Sequence, residues 1–203
     1  MNKLDLRKKH KHLYKASPKE AAFVDVPALN FVMIDGQGAP DGSQEFQDAI
    51  GALYGAAYTL KFMLKKSAKP RDFTVMALEG LWWCEGANEF RMERKGDWRW
   101  TLMIQLPDFI TRRDFTKAVE QLKEKKASGA LAKIRLEKFK EGRCAQILHV
   151  GPYSSEPPTI AKMHEFMRRE GRQPAGKHHE IYLSDPRRTA PEKIKTILRQ
   201  AVA

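Results

Sequence analysis

The feature that most constrains this chain is an internal match. ALNFVMIDGQG, residues 28–38, lines up with RCAQILHVGPY, residues 143–153, each an apolar strand pattern entering a Gly-containing turn ahead of a helical pattern. LMIQLPDFITRRDFTKAVEQL, residues 102–122, lines up with EIYLSDPRRTAPEKIKTILRQ, residues 180–200, as strand, Asp, loop and helix. Two copies of one unit, about 19–127 and about 130–203, imply a pseudo-twofold α+β molecule. The expected architecture is a tandem repeat of strand–helix–strand–strand type units. It has a mostly antiparallel sheet, helices on one face, and a central ligand cleft where the helices of the two copies meet. Residues 1–18 read as a basic arm closed by Pro18.

Within the first copy, Ala22–Val26 and Asn30–Ile34 read as two short strands on either side of Pro27. Phe46, Ile50, Leu53, Ala57, Leu60 and Leu64 recur at steps of three or four, so a helix is expected from Gln44 to about Lys65, capped by Ser43 or Asp41. DFTVMALEGLWW and DWRWTLMIQLP read as strands joined by the charged turn GANEFRMERKG, and Thr111 opens a further helix. In the second copy, residues 132–153 read as two strands turning at Glu141-Gly142, followed by a helix over Glu156–Arg169. HHEIYLSDP reads as a strand, and APEKIKTILRQAV as a closing helix with Pro191 in its first turn.

Composition narrows the function classes. With 42% hydrophobic and 31% charged residues, the chain can build a core without staples, and Cys84 and Cys144 read as two reduced, partly buried thiols. A signal peptide and a membrane span are both missing from the pattern, so a cytoplasmic protein with no membrane partner is expected. The formal charge of +12 concentrates in residues 1–20 and 111–143, where basic residues alternate with Glu rather than with aromatics. A solvated basic face is favoured over nucleic-acid binding as the main function. No phosphate loop, dinucleotide fingerprint or nucleophile elbow occurs, so no cofactor is expected. His178 and His179 are adjacent in a strand, point to opposite faces and cannot chelate one ion, so no metal is expected.

Two carboxylates stand in apolar, aromatic strands: Glu79 in VMALEGLWW and Glu180 in HHEIYLSDP. A carboxylate in such surroundings either meets solvent or projects into a cavity of low dielectric. Strand parity places His178 and Tyr182 on the face of Glu180, which favours the cavity for that residue. Trp82 and Trp83 must point to opposite faces. With Trp100, with Tyr54 and Tyr58 one helical turn apart, and with Tyr153 after the Gly151-Pro152 turn, they supply walls for a planar, apolar or cationic ligand.

These stretches resemble a known family. HHEIYLSDP is similar to the Glu-x-Tyr strand of the GyrI-like ligand-binding domains, and CAQILHVGPYSS to the strand and turn before their second helix. KPRDFTVMALEGLWW resembles a stand-alone subfamily of cyclopropanoid cyclopropyl hydrolases. The resemblance covers nearly all of the chain after residue 18. It implies tandem strand–helix–strand–strand units with a small molecule bound between them. In the regulator members a buried Glu, here matched by Glu180, meets cationic drugs. In the hydrolases an aromatic cage, falling here on Trp82, Trp83, Tyr153 and Tyr58, holds a planar DNA-alkylating agent while water opens its cyclopropane. Glu180 and Tyr182 are then the expected polar actors, with Glu79 as an alternative base. The rival expectations are a binding protein that sequesters drugs without chemistry and a protein that shields gyrase. The chain lacks the DNA-binding domain of the regulators.

Overall fold

The computed structural model describes residues 3–86, 95–125 and 128–203. The turn expected between the LEGLWW and DWRW strands lies mostly outside them. In chain order the elements are β1 (Lys3–Leu4), α1 (Leu6–Lys9), β2 (Ala22–Gln37), α2 (Gln44–Lys65), β3 (Asp72–Phe73) and β4 (Leu78–Cys84). They continue as β5 (Trp98–Leu106), α3 (Arg112–Lys125), β6 (Arg135–Val150), α4 (Pro157–Arg169), β7 (Pro174–Tyr182) and β8 (Lys195–Val202). Six strands close into an antiparallel barrel in the order β2-β5-β4-β7-β8-β6, while β1 pairs with β3 in parallel.

That order makes the repeat visible in three dimensions. Read from the middle of the barrel outward, β4 answers β7, β5 answers β8 and β2 answers β6. Each unit is therefore a strand, a helix and two strands: β2-α2-β4-β5 and β6-α4-β7-β8. This corrects one expectation: the segment read as a closing helix is β8, the partner in symmetry of β5. Its Ile194, Ile197, Leu198 and Ala201 fall at helical spacing, which is why the sequence pattern misleads. The strand wins because Thr196, Ile197, Leu198, Arg199 and Gln200 are all buried and it is paired on both edges. A strand covered on two faces loses the alternation that would announce it.

Two further pairs of strands, expected as separate short strands, are each one long strand. β2 runs sixteen residues through Pro27, and β6 sixteen residues through Gly142. Val26 and Leu29 both face the barrel interior although three residues apart, so the alternation slips there, opposite Gly142 with its φ of 81°.

Ser43 begins α2 by accepting the Phe46 N–H at 3.2 Å. The buried face of α2 carries Phe46, Leu53, Leu60 and Leu64, with Ala49, Ala52, Ala56 and Ala57 between them. The small residues let the helix approach Trp82 and Trp100 on the outer face of the barrel. Met163 and Met167 of α4 pack on Ala145, Ile147 and Leu198 of that same outer face. Each large side chain withdrawn from water in this way contributes on the order of 2 kcal/mol. The residues expected as an arm are folded onto the barrel: Leu6 joins the outer core and Leu13 the interior. No helix among the described residues is long and apolar enough to cross a membrane, and Cys84 and Cys144 are buried and not joined in a disulfide.

Candidate active site

The register between β4 and β7 sets the site. Gly80 is opposite Glu180 and Trp82 opposite His178, so these four residues share the outer face with Tyr182. Glu79, opposite Ile181, points the other way, into the barrel. Glu79 and Glu180 therefore belong to two different polar clusters, back to back on one strand pair.

On the outer face, Trp82 Nε1–H donates to the Tyr182 hydroxyl at 3.0 Å, and the Tyr182 hydroxyl is hydrogen-bonded to the Glu180 carboxyl. His178 Nε2 lies 3.3 Å from Glu180 Oε1. Gly80 makes this possible, because a Cβ there would stand 2.8 Å from Trp82 Nε1 and 3.0 Å from the Tyr182 hydroxyl. Tyr153, from the turn before α4, meets Tyr182 edge to face with ring centroids 5.8 Å apart. Glu156, the residue preceding α4, is 1% exposed. Burial and the nearby Glu180 carboxyl push its pKa up to about 9, an effect that the Thr196 hydroxyl tempers. Burial, then Glu180, push the Tyr153 hydroxyl up to about 12 and the Tyr182 hydroxyl well above its ordinary range. Both tyrosines thus remain proton donors at any ordinary pH.

Tyr54 lies half-buried beside this cluster, and its ring continues along α2 into Tyr58 and Phe62, with centroids 6.4 and 6.3 Å apart. Tyr58 and Phe62 are 47% and 51% exposed, an apolar stripe on the helix surface. Two of the expected aromatics stand elsewhere. Trp100 is fully buried, its ring crossing Gly36 and meeting Phe46 edge to face, as part of the packed core under α2. Trp83 faces the mouth of the barrel, with the Lys177 ammonium 3.4 Å above its ring. A cavity of about 530 Å³ opens at that mouth, lined by Asp35, Trp83, Arg99, Thr101, Arg135 and Lys177. Its rim is self-neutralised: Arg99 pairs with Glu85, and Arg135 with Asp35 and Glu137. The chemically loaded groups gather at the outer cluster instead, where the aromatic rings close over the carboxyls.

Inside the barrel, His179 bridges two acids. Its Nε2 is 3.1 Å from Glu79 and its Nδ1 3.0 Å from Glu141, so both nitrogens must carry protons. Burial alone would depress this imidazole, but Glu141 and Glu79 outweigh it and raise the pKa to about 9. Arg199 completes the set, reaching Glu141, Gln146 and the Leu13 carbonyl. Tyr14 reaches Glu79 at 2.8 Å. Nothing in the sequence pattern groups these residues, which lie up to 186 positions apart. Glu156 did leave a signal: in SSEPP a glutamate, not one of the serines that usually cap helices, directly precedes the helix. Among the described residues no group of three or more His, Cys, Asp or Glu is placed to hold a metal ion.

Comparison with known proteins agrees with this fold. Residues 19–200 match the GyrI-like small molecule binding domain, and the chain belongs to that family. An uncharacterized conserved protein from Listeria innocua is similar at 42% identity and a TM-score of 0.92, covering 99% of this chain and all of its own. A hydrolase from Listeria innocua is similar at 39% identity and a TM-score of 0.88, each chain covered in full. The C-terminal domain of EcmrR shares the fold at 11% identity and a TM-score of 0.56, over 91% of this chain and 97% of its own. No protein of curated function matches the chain.

Proposed function

We propose that this protein binds a planar or hydrophobic small molecule in the outer cleft between α2 and α4 and hydrolyses it. The carrying observation is Glu180: a buried carboxylate held by Tyr182, which Trp82 holds in turn, beside aromatic rings and a second carboxyl. The likeness to a Listeria hydrolase over the whole chain supports chemistry as well as binding. The substrate class we assign is a DNA-alkylating compound with a cyclopropane conjugated to a dienone, and the role is detoxification.

The chemistry balances with water as the only co-reactant. Water attacks the methylene carbon, the strained C–C bond breaks, and its electron pair passes through the ring to the carbonyl oxygen. Glu180 takes a proton from the attacking water. A hydroxyl of the cleft hydrogen-bonds the oxygen and stabilises the charge as it develops, and the proton held by Glu180 then passes to that oxygen, giving the phenol and restoring the carboxylate. Clamping a flat substrate against Glu180 contributes several kcal/mol of orientation. Glu79, tied to His179 and Tyr14 on the opposite face, takes no part in this step.

The test is turnover of a spirocyclopropyl-cyclohexadienone, which water opens to para-hydroxyphenylethanol. Many equivalents of product per protein are expected, and Glu180→Gln should lower turnover while leaving binding nearly intact. Stoichiometric protection without product would replace the enzyme with a sequestering protein.

A further inference from the structure

Glu156 has no structural duty that explains its burial. Carboxylates before a helix serve by capping the first N–H groups. Here α4 opens with Pro157 and Pro158, which have no N–H to cap, and the Glu156 side chain makes no cap bond. Both of its oxygens are buried without a hydrogen bond of regular geometry among the described residues, and so is the Thr196 hydroxyl, which lies near enough to Glu156 to favour its charged form. Native interiors satisfy nearly all such groups, and leaving one unpaired costs about 1–3 kcal/mol. Three acceptor or donor atoms without a regular bond at one place, beside the residue assigned as the base, point to a partner that arrives with the ligand.

The surroundings define what that partner is. Glu156 faces Glu180 and Tyr182 from β7, Thr196 from β8 and Tyr153 from its own turn, with His178 beyond Glu180. From β6, His149 is already engaged by Thr159 and by the Ser155–Pro152 turn. Burial first, and then the opposing Glu180 carboxylate, keep Glu156 in its neutral acid form, with a pKa of about 9. A neutral carboxylic acid donates one hydrogen bond, and a hydroxyl beside it donates another. Two neighbouring donors withdrawn from water complement an oxygen with two lone pairs, not an ammonium group.

We propose that Glu156 and Thr196 form a carbonyl-binding subsite, so that the cleft selects flat, uncharged molecules bearing a conjugated ketone or lactam oxygen. A ligand reaches it by parting Tyr153 from Tyr182. The proposal rests on the reading of the outer cleft as the ligand site, and it assigns to Glu156 the hydrogen bond that grows as charge reaches that oxygen.

Acridone, a flat conjugated ketone whose fluorescence moves to longer wavelength when its oxygen accepts a hydrogen bond, is the probe. Anthracene, of the same outline without the oxygen, is the control. Wild-type protein should bind acridone with the shifted emission, and the affinity should fall as pH rises through about 9. Glu156→Leu should bind it about tenfold more weakly without the shift, while anthracene binds at least as well as before. Glu156→Gln, whose amide also donates, should keep the shift and lose the pH dependence; as the conservative variant it shows that loss in the Leu protein is not misfolding. Acridone binding equally to wild type and Glu156→Leu, or anthracene suffering as much as acridone, overturns the subsite alone. Failure of wild type to bind either compound overturns the cleft reading and the subsite with it.

Discussion

The two polar clusters share one pair of strands and differ in almost everything else. Inside the barrel every charge is answered: His179 lies between Glu79 and Glu141, and Arg199 between Glu141, Gln146 and the Leu13 carbonyl. Outside, Glu156 and Thr196 are buried without hydrogen bonds of regular geometry, beside the Tyr153–Tyr182 ring pair. A satisfied ionic network favours one arrangement of the chain, since any displacement strands a charge in low dielectric. An unsatisfied one costs stability and is kept where something else completes it. Residue type does not separate the two clusters, since both are built from Glu, His and Tyr. The separation lies in whether the protein itself closes the network.

That contrast can be broken by experiment, beginning with the interior. Arg199→Met should leave Glu141 under-compensated and cost about 3–5 kcal/mol in urea unfolding, with no new ligand specificity. A loss under 1 kcal/mol would mean that the inner network does not hold the barrel. On the outer face, Glu180→Gln should reduce turnover of the dienone probe by about a hundredfold to ten-thousandfold. Its unfolding free energy should stay within about 1 kcal/mol of wild type, and a collapse like that of Arg199→Met would erase the difference between the clusters.

The pH dependence of stability reports on both clusters at once. Glu156 is raised from 4.5 to about 9 in the folded protein, and His179 from 6.5 to about 9. In each case the native state holds a proton that the unfolded chain has released, so the stabilisation is complete below the unfolded pKa and fades as pH climbs to about 9. Each group lowers stability by about 1.4 kcal/mol per pH unit inside its own window. Glu156→Gln should flatten the curve between 4.5 and 6.5, where only that group acts, and leave the His179 slope above it. An unchanged curve in the lower window would place Glu156 in water. The smallest effect expected is from Gly80→Ala, whose new methyl must push Trp82 and Tyr182 apart. Overpacking of this kind costs about 1–3 kcal/mol, and acridone affinity should drop a few-fold with it.

Much of this was legible in the letters, for physical reasons that can be named. The helix over 44–65 announced itself because one face is buried and the other wet, which is what periodicity records. Parity grouped His178, Glu180 and Tyr182, since a strand allows only two faces. Parity does not say which face of a neighbouring strand it joins, so Glu79 could be set beside Glu180 on paper while the Gly80–Glu180 register puts it behind the sheet. Trp82 and Trp83 had to separate, and only the pairing with His178 decides that Trp82 is the one at Glu180. β8 was concealed by burial on both faces. Glu156 was concealed by its position, because a residue at the start of a helix is read as an end marker and not as a group with surroundings.

The N-terminal residues carry a practical consequence. Matching to the family begins at residue 19, yet Leu13 and Tyr14 are lodged in the barrel, where the Leu13 carbonyl takes a bond from Arg199 and Tyr14 reaches Glu79. A gene trimmed to the matched region would therefore encode a barrel with its stopper drawn. Water would enter against Arg199 and Glu79 from one end, while Glu180 and the aromatic rings remained intact on paper. Anyone preparing this protein for crystals or assays does better to keep the first residues and place a tag at the other terminus.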